Sequence, residues 1–211
     1  MTIATHQVED ARAFGLVVTD ETGRITEFRE KPTDLVPGAI NAGTYVLEPS
    51  ALHVWPAGTN TSIEKEIFPR SIQEGAVLRG FESDAYWLDL GTPEQYLRAH
   101  VDLLGGRVAG SSYPAPWIGS GASLDPTARI ERSVAIGDGA QVGPEAHLVE
   151  AVLMAKASVE ANALVERTIV GARGVVGEGA MLVDSVLGDG VRVPPGARLE
   201  GVRMGSDTPS P

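Results

Sequence analysis

A six-residue step in the second half constrains this chain more than any other feature. Aliphatic side chains stand at Ile118, Leu124, Ile130, Ile136, Val142 and Leu148, each six positions after the last. The series continues as Leu153, Val159 and Val165, then Val170, Val176 and Leu182, then Leu187, Val193 and Leu199. Within these triplets the step is six and between them five, so the chain returns to the same register every 17 residues. A coil of that length has three short sides, each sending one aliphatic residue inward, which is the pattern of a parallel β-helix. Gly-x-Gly-Ala recurs at 119–122, 137–140 and 177–180, placing small residues where the chain must turn a corner. No aromatic residue follows Trp117, as a narrow interior requires.

The residues before Gly105-Gly106 follow a different grammar, in which strand-like and helix-like segments mix. Phe14-Gly15-Leu16-Val17-Val18 and the segment 25–29 read as strands joined by the turn Asp20-Glu21-Thr22-Gly23, and 44–47 and 77–81 read as further strands. Ser62 is the N-cap of a helix opening Ile63-Glu64-Lys65-Glu66, which Pro69 limits or kinks. A second helix starts at Thr92, with Pro93 at its first position and Gln95 completing a capping box, and ends on Gly105 as a left-handed terminus. The expected organisation is an α/β domain over 1–108, a linker over 109–116, the β-helix over 117–203 and a disordered tail over 204–211.

Composition removes several classes of function. The 211 residues carry no cysteine, so disulfides, thiolate nucleophiles and cysteine-based zinc sites are excluded, in keeping with a cytoplasmic address. Net charge is −11 with no Lys/Arg cluster, which argues against a nucleic-acid partner. No apolar run approaches a membrane span and no signal peptide is evident. Lysine occurs only at Lys31, Lys65 and Lys156, so Lys31 inside a polar motif stands out.

Three short segments carry the chemistry. Phe28-Arg29-Glu30-Lys31-Pro32 ends a strand, and proline is expected to hold Lys31 extended at a strand end, where its ammonium can neutralise a phosphate while Glu30 accepts from hydroxyls. Asn41-Ala42-Gly43 offers an amide suited to a hydroxyl pair, and small residues that let a ring lie close to backbone; a plain turn or bulge is the competing reading. In Tyr86-Trp87-Leu88-Asp89-Leu90-Gly91-Thr92, Asp89 stands at the end of an apolar strand, where a carboxylate calls for a cation such as Mg²⁺ or for the amides of the following turn.

In this order, with Ser62-Ile63-Glu64-Lys65-Glu66-Ile67-Phe68-Pro69 between the second and third, these segments resemble the second half of the catalytic domain of sugar-nucleotide pyrophosphorylases. The wording is most similar to the mannose-1-phosphate guanylyltransferases among them, which commonly end in a left-handed β-helix. The resemblance implies a Rossmann-like nucleotidyltransferase part followed by that β-helix. It implies that Gly15, Glu30, Lys31, Asn41 and Gly43 face the sugar phosphate, with Lys31 on the phosphate, and that Asp89 is one of two aspartates holding Mg²⁺. The mannose-1-phosphate oxygen would attack the α-phosphorus of GTP, giving GDP-mannose and pyrophosphate, with Lys31 and Asp89 the catalytic groups and no general base required.

The family's Gly-Gly-x-Gly-Thr-Arg-Leu-Arg-Pro nucleotide loop, its downstream Lys-Pro and its first metal aspartate do not occur in these 211 residues. The expectation is therefore a chain inactive alone, with a sheet edge and apolar surface left uncovered, that forms homo-oligomers or pairs with a full-length homologue. Two other classes compete. One is a non-catalytic regulatory or scaffolding subunit of a pyrophosphorylase. The other is a hexapeptide-repeat acyltransferase, for which His147 would be the histidine, although its place beside inward Leu148 points it out of the coil.

Overall fold

A computed structural model describes residues 1–52, 55 and 58–205. Contacts divide the chain into two compact units, Met1–Trp87 and Leu88–Pro211.

The first unit is built on a five-stranded sheet: β1 (Thr2–Val8), β2 (Gly15–Thr19), β3 (Ile25–Glu30), β4 (Gly38–Val46) and β5 (Arg79–Glu82), in the spatial order β3-β2-β4-β1-β5. All pairs are antiparallel except β1–β5. The β2–β3 turn forms as the sequence dictates: the Asp20 carboxylate accepts from Thr22 N (2.9 Å), Thr22 Oγ1 (2.7 Å) and Arg24 N (3.0 Å), and Gly23 takes φ +76°. This turn also meets the outer edge of β5, with Gly80 N donating to Gly23 O (2.9 Å) and Ile25 N to Leu78 O (2.8 Å). The sheet curls on itself, so the edge expected to be open is partly closed. Apolar surface does remain, with Val46 73% and Phe81 64% exposed.

Alternation sorts the strands into two faces. Ile3, Val17 and Phe28 form one core with Ile67, Phe68 and Leu78. Leu16 and Ile40 form a second on the opposite face with Ala11, packed by Val8, Phe14, Val36 and Trp87. Ser62 caps its helix from both sides: its Oγ accepts from Lys65 N (3.2 Å) and Glu66 Oε1, four residues on, accepts from Ser62 N (3.0 Å). The first turn, Ile63–Ile67, is a π-turn that becomes α1 (Phe68–Gln73), and Pro69 sits in the opening of α1, where its missing N–H matters least.

In the second unit, α2 (Pro93–Leu104) begins as expected, with Thr92 Oγ1 accepting from Gln95 N (3.2 Å). Two details differ. Gln95 Oε1 is buried without a partner, so the reciprocal half of the capping box is not made. Gly105 is right-handed at φ −77°, and Gly106 takes the left-handed place at φ +71°.

The coil follows the hexads. Ile136, Val142, Leu148, Leu153, Val159, Val165, Val170, Val176, Leu182, Leu187 and Val193 are all buried in one cluster. Strands of two or three residues stack in parallel into sheets of five, five and six strands, with register offsets of 17 residues after a first offset of 18. Ile118, in the first rung, is 47% exposed.

Two features of the coil lie beyond the hexad pattern. A second inward column of small residues, Ala140, Ala146, Ala151, Ala157, Ala163 and Ala180 among them, stands two positions before the aliphatic ones. In one column this place is polar: Thr168 and Ser185 are buried, each accepting a backbone N–H from the following coil (3.1 and 3.2 Å) and donating to a carbonyl two residues back (2.8 Å each). The corners require a left-handed residue rather than a small one, since Glu145, Glu150, Lys156, Asn162, Arg167, Arg173 and Asp184 all have positive φ.

α2 clusters with the coil, although sequence grammar groups it with the first half, because its apolar stripe has a matching surface there. Tyr96, Leu97 and Leu104 pack on the outward Ala135, Val152 and Ile169, and Glu94 pairs with Arg203. The lengths agree: 12 helical residues span about 18 Å, and the four rung spacings from Ala135 to Arg203 span about 19 Å. Met204, placed in the tail by sequence, closes the last rung beside Leu187 and is buried; residues 206–211 of that tail lie outside the described residues. Among the described residues no helix is long and apolar enough to cross a membrane.

Candidate functional site

Antiparallel pairing places Gly15 opposite Glu30, Thr5 opposite Asn41 and Ile3 opposite Tyr45. Since Ile3 and Val17 share a core, Gly15, Glu30, Asn41 and Tyr45 all belong to one face of the first unit's sheet. The sequence-predicted residues Gly15, Glu30 and Asn41 are thus brought together. Gly15 is glycine because a Cβ there would stand 2.5 Å from the Phe28 ring and 3.2 Å from Glu30 Oε2. That same Glu30 oxygen is buried with no hydrogen-bond partner. An orphaned carboxylate oxygen is costly, and a ligand hydroxyl is the kind of donor that would satisfy it.

Lys31 departs from the expected extended geometry. Its φ is +49°, and its N–H donates to Phe14 O (3.0 Å). The hydrogen bond to Phe14 carries the chain past the end of β3 and turns Lys31 out of the strand before Pro32 can impose β geometry. A left-handed residue other than glycine costs about 1–2 kcal/mol. Its side chain is exposed and takes part in no ion pair among the described residues.

Asn41-Ala42-Gly43 forms a bulge inside β4. Ile3 pairs with Tyr45 and Thr5 with Asn41, so the single residue Ala4 faces residues 42–44. Gly43 needs φ +78°, and its N–H is taken by Asn41 Oδ1 at 3.0 Å. Asn41, 7% exposed, donates to Tyr45 Oη and to Glu64 Oε1, each at 2.7 Å. Its amide hydrogens are therefore both engaged within the fold rather than offered to a hydroxyl pair.

Residues to which sequence reasoning assigned no role complete the arrangement. Trp87 Nε1 donates to Ala42 O (3.1 Å) and so pins the bulge, while its ring meets His6 and, edge-on, Phe14, each at 5.5 Å. Phe14 in turn holds Lys31 through its carbonyl. Tyr45 is pushed above the usual tyrosine range, first by burial and further by the charges of Glu64 and Glu30, against the opposing hydrogen bond from Asn41. Glu64 and Trp87 stand inside quoted motifs, yet nothing in a one-dimensional pattern says which atom each one reaches.

Asp89 falls in the second unit, in a loop rather than at a strand end; it is exposed, and its Oδ2 accepts from Gly91 N (3.3 Å). The amide of the following turn is thus the partner found. Among the described residues no group of three or more carboxylates or histidines could hold a metal ion, so the described side chains do not make a metal site by themselves. His147 lies on the outside of the coil, 3.5 Å from Glu131.

Comparison with known proteins also divides the chain in two, with α2 in the first part. Residues 1–105 match the family described as Nucleotidyl transferase, and residues 113–205 match that described as GMPPB C-terminal domain. A mannose-1-phosphate guanylyltransferase of Mycobacterium tuberculosis is 36% identical over 177 residues, covering 79% of this chain and 48% of the relative. A probable mannose-1-phosphate guanylyltransferase 3 of Oryza sativa subsp. japonica is 32% identical over 209 residues, covering 91% and 56%. A Drosophila melanogaster protein named mannose-1-phosphate guanylyltransferase catalytic subunit beta is 36% identical over 135 residues, covering 61% and 35%. The chain spans about half the length of the first two. With its two halves matched in the same order, the chain belongs to the nucleotidyl transferase family.

Proposed function

We propose that the first unit forms the sugar-phosphate side of a nucleotidyl transfer site for mannose-1-phosphate and GTP. The observation that carries this reading is the buried Glu30 Oε2, unpartnered among the described residues, on the face that also bears Gly15 and Asn41, one residue before the exposed Lys31. Glu30 accepts a sugar hydroxyl and Lys31 neutralises the phosphate. The bulge at 42–43 gives the ring close access to backbone. The sugar phosphate's own anionic oxygen is the nucleophile toward the α-phosphorus, pyrophosphate leaves, and GDP-mannose is the product. The protein's work is positioning and charge neutralisation, which needs no general base.

On the family's pattern alone, Asp89 would supply one carboxylate to Mg²⁺, whose charge would offset that of the phosphates. A nucleoside triphosphate substrate is in keeping with a cytoplasmic address.

Calorimetry of the 211-residue chain with mannose-1-phosphate tests the reading: binding is expected, and Lys31→Ala and Glu30→Gln each weaken it at least tenfold. Wild-type chain that takes up no sugar phosphate overturns it. With GTP, mannose-1-phosphate and Mg²⁺, these residues alone are expected to release no pyrophosphate, and turnover by pure chain would contradict that part.

A second reading makes the chain a regulatory or scaffolding subunit, as a homo-oligomer or beside a full-length homologue. The fly relative is named as a subunit, which supports assembly with other chains, while the same name calls that subunit catalytic. Co-purification with a complete guanylyltransferase, without sugar-phosphate binding, would select it.

A further inference from the structure

Every aromatic residue of the second unit gathers at one place. Tyr96, Tyr113 and Trp117 are its only Phe, Tyr or Trp, and all three line a pocket of about 400 Å³ beside α2, together with His100. They are not sealed in a core: Tyr113 is 53% and Trp117 37% exposed, and Tyr96 and His100 are half-buried. Single exposed aromatics are ordinary, but a group of them around one hollow of this size marks a binding surface.

The hollow exists because the coil beside it is small. Ala135, Gly137 and Ala155 line it, and at Gly137 a Cβ would stand 2.7 Å from Ala155 N, so the coil itself demands the small residue there. On α2, the rings of Tyr96 and His100, one turn apart, lie 4.5 Å centre to centre. Pro114 and Pro116 restrict the backbone between Tyr113 and Trp117.

Charge separates this pocket from the other flank of the helix. No Lys, Arg, Asp or Glu lines it among the described residues, whereas Arg98, Arg107, Glu150, Arg167 and Asp184 line the groove on the opposite side of α2. A phosphate therefore finds no counter-charge in the pocket. The polar capacity it does have is neutral and directional. His100 Nδ1 lies 2.9 Å from Tyr96 O. A carbonyl only accepts, so Nδ1 carries the hydrogen and the neutral imidazole offers Nε2 as an acceptor. The hydroxyls of Tyr96 and Tyr113 and Trp117 Nε1 make no hydrogen bond among the described residues, which leaves three donors. Flat walls with one acceptor and several donors suit a planar heterocycle that has ring nitrogens to accept and an N–H edge to give.

We propose that this pocket is a second ligand site, which takes the base of a purine nucleoside against its aromatic rings and leaves ribose and any phosphate outside. The proposal is independent of the sugar-phosphate reading, since none of the lining residues belongs to the first unit.

The test is calorimetry of the 211-residue chain with guanosine and adenosine, and with uridine and benzyl alcohol as controls. The proteins compared are the wild type, Tyr113→Ala, Ala155→Leu, His100→Phe and Lys31→Ala. Tyr113 and Ala155 are both exposed, so the first change opens the pocket and the second fills it with little strain on the fold. The wild type is expected to bind a purine nucleoside. Tyr113→Ala and Ala155→Leu should each weaken that binding about 10- to 100-fold, the worth of one base–aromatic stack, at unchanged melting temperature. His100→Phe keeps a ring but drops the acceptor and should weaken it several-fold. A wild-type chain that binds neither purine nucleoside overturns the proposal. Benzyl alcohol bound as tightly as the nucleosides makes the pocket an apolar hollow only, and uridine bound equally well removes the preference for a purine; either result overturns it too. Binding that survives Tyr113→Ala and Ala155→Leu but is lost in Lys31→Ala belongs to the first unit and sinks the idea. If Tyr113→Ala lowers the melting temperature, Ala155→Leu decides alone, and purine binding kept there overturns the proposal.

Discussion

The two units of this chain solve opposite problems. In the coil, each inward residue meets its own kind one turn away: Val142, Val159, Val176 and Val193 stack in register, rung on rung. In the first unit nothing repeats. β1 is paired on one side with β4, antiparallel and interrupted by a bulge, and on the other with β5, parallel. Repetition spreads stability over many equivalent contacts, and the coil needs no single residue to define it. The first unit concentrates its meaning in a few contacts that occur once, such as Asn41 to Glu64 and Trp87 to Ala42, and those are the contacts around the proposed site.

Truncating one interior residue asks how far the coil shares its load. Leu182 is fully buried in the middle rungs, and Leu182→Ala should cost about 3–4 kcal/mol, transfer plus cavity. Calorimetric melting should show the loss in the coil's transition, with sugar-phosphate binding by the first unit retained. If both disappear together, the two units are not separable in the way their contacts suggest.

The Gly-x-Gly-Ala corners sharpen the comparison inside the coil. At Gly177 a Cβ would stand 2.6 Å from Pro195 N and 2.7 Å from Val193 O, both backbone of the next rung, so Gly177→Ala must push rungs apart and should cost about 2–3 kcal/mol. Gly179, two residues on, has φ +65° and open space around it, and Gly179→Ala should cost only about 1 kcal/mol. Equal losses in denaturant titrations would mean that one mechanism serves both glycines.

Trp87→Phe probes the opposite kind of contact. It keeps a ring beside His6 and Phe14 but leaves the Ala42 carbonyl without its donor, a loss of about 1 kcal/mol. The coil's melting should not move, while mannose-1-phosphate binding should weaken several-fold as the bulge loosens. Unchanged binding would detach Trp87 from the site.

The smallest effect is electrostatic. Asp184 lies below the usual aspartate range because of its hydrogen bonds to Arg167, one coil earlier, with Arg167 raised in turn. A carboxyl lowered in the folded state contributes stability that is complete above its unfolded value, near 4, and is lost as pH falls through the lower folded value. Both side chains are about half exposed, so Asp184→Asn should flatten the acid limb of the coil's stability curve only slightly. An unchanged acid limb would mean that this pair does not contribute.

Legibility followed the same division. The hexads identified the coil's interior almost residue for residue, because a period is visible wherever the environment is periodic. Ser62 and Thr92 were readable as caps because a cap bonds only three residues away. Asp20 with Thr22 and Gly23 marked its turn for the same reason. Lys31, Asp89 and Gly105 were placed in the right motifs but in the wrong local geometry. For two of them the backbone answers to a residue the motif does not contain, Phe14 for Lys31 and Gly106 for the helix end; Asp89 takes a turn amide that the sequence did offer, that of Gly91, but from a loop rather than a strand end.

The amino-acid sequence by itself therefore determined the β-helix, the capped helices and the family's order of motifs, since each of these depends on neighbours within a few residues or on a fixed step. Only the tertiary structure decided that Asn41 is used up inside the fold, that Glu64 meets Asn41 on the sheet face bearing Glu30, that Trp87 pins the bulge, and that α2 has the length of the coil face it covers. The physical reason is distance along the chain. Hydrogen bonds and packing between segments tens of residues apart form only when strand order and register bring them together, and no local pattern encodes that meeting.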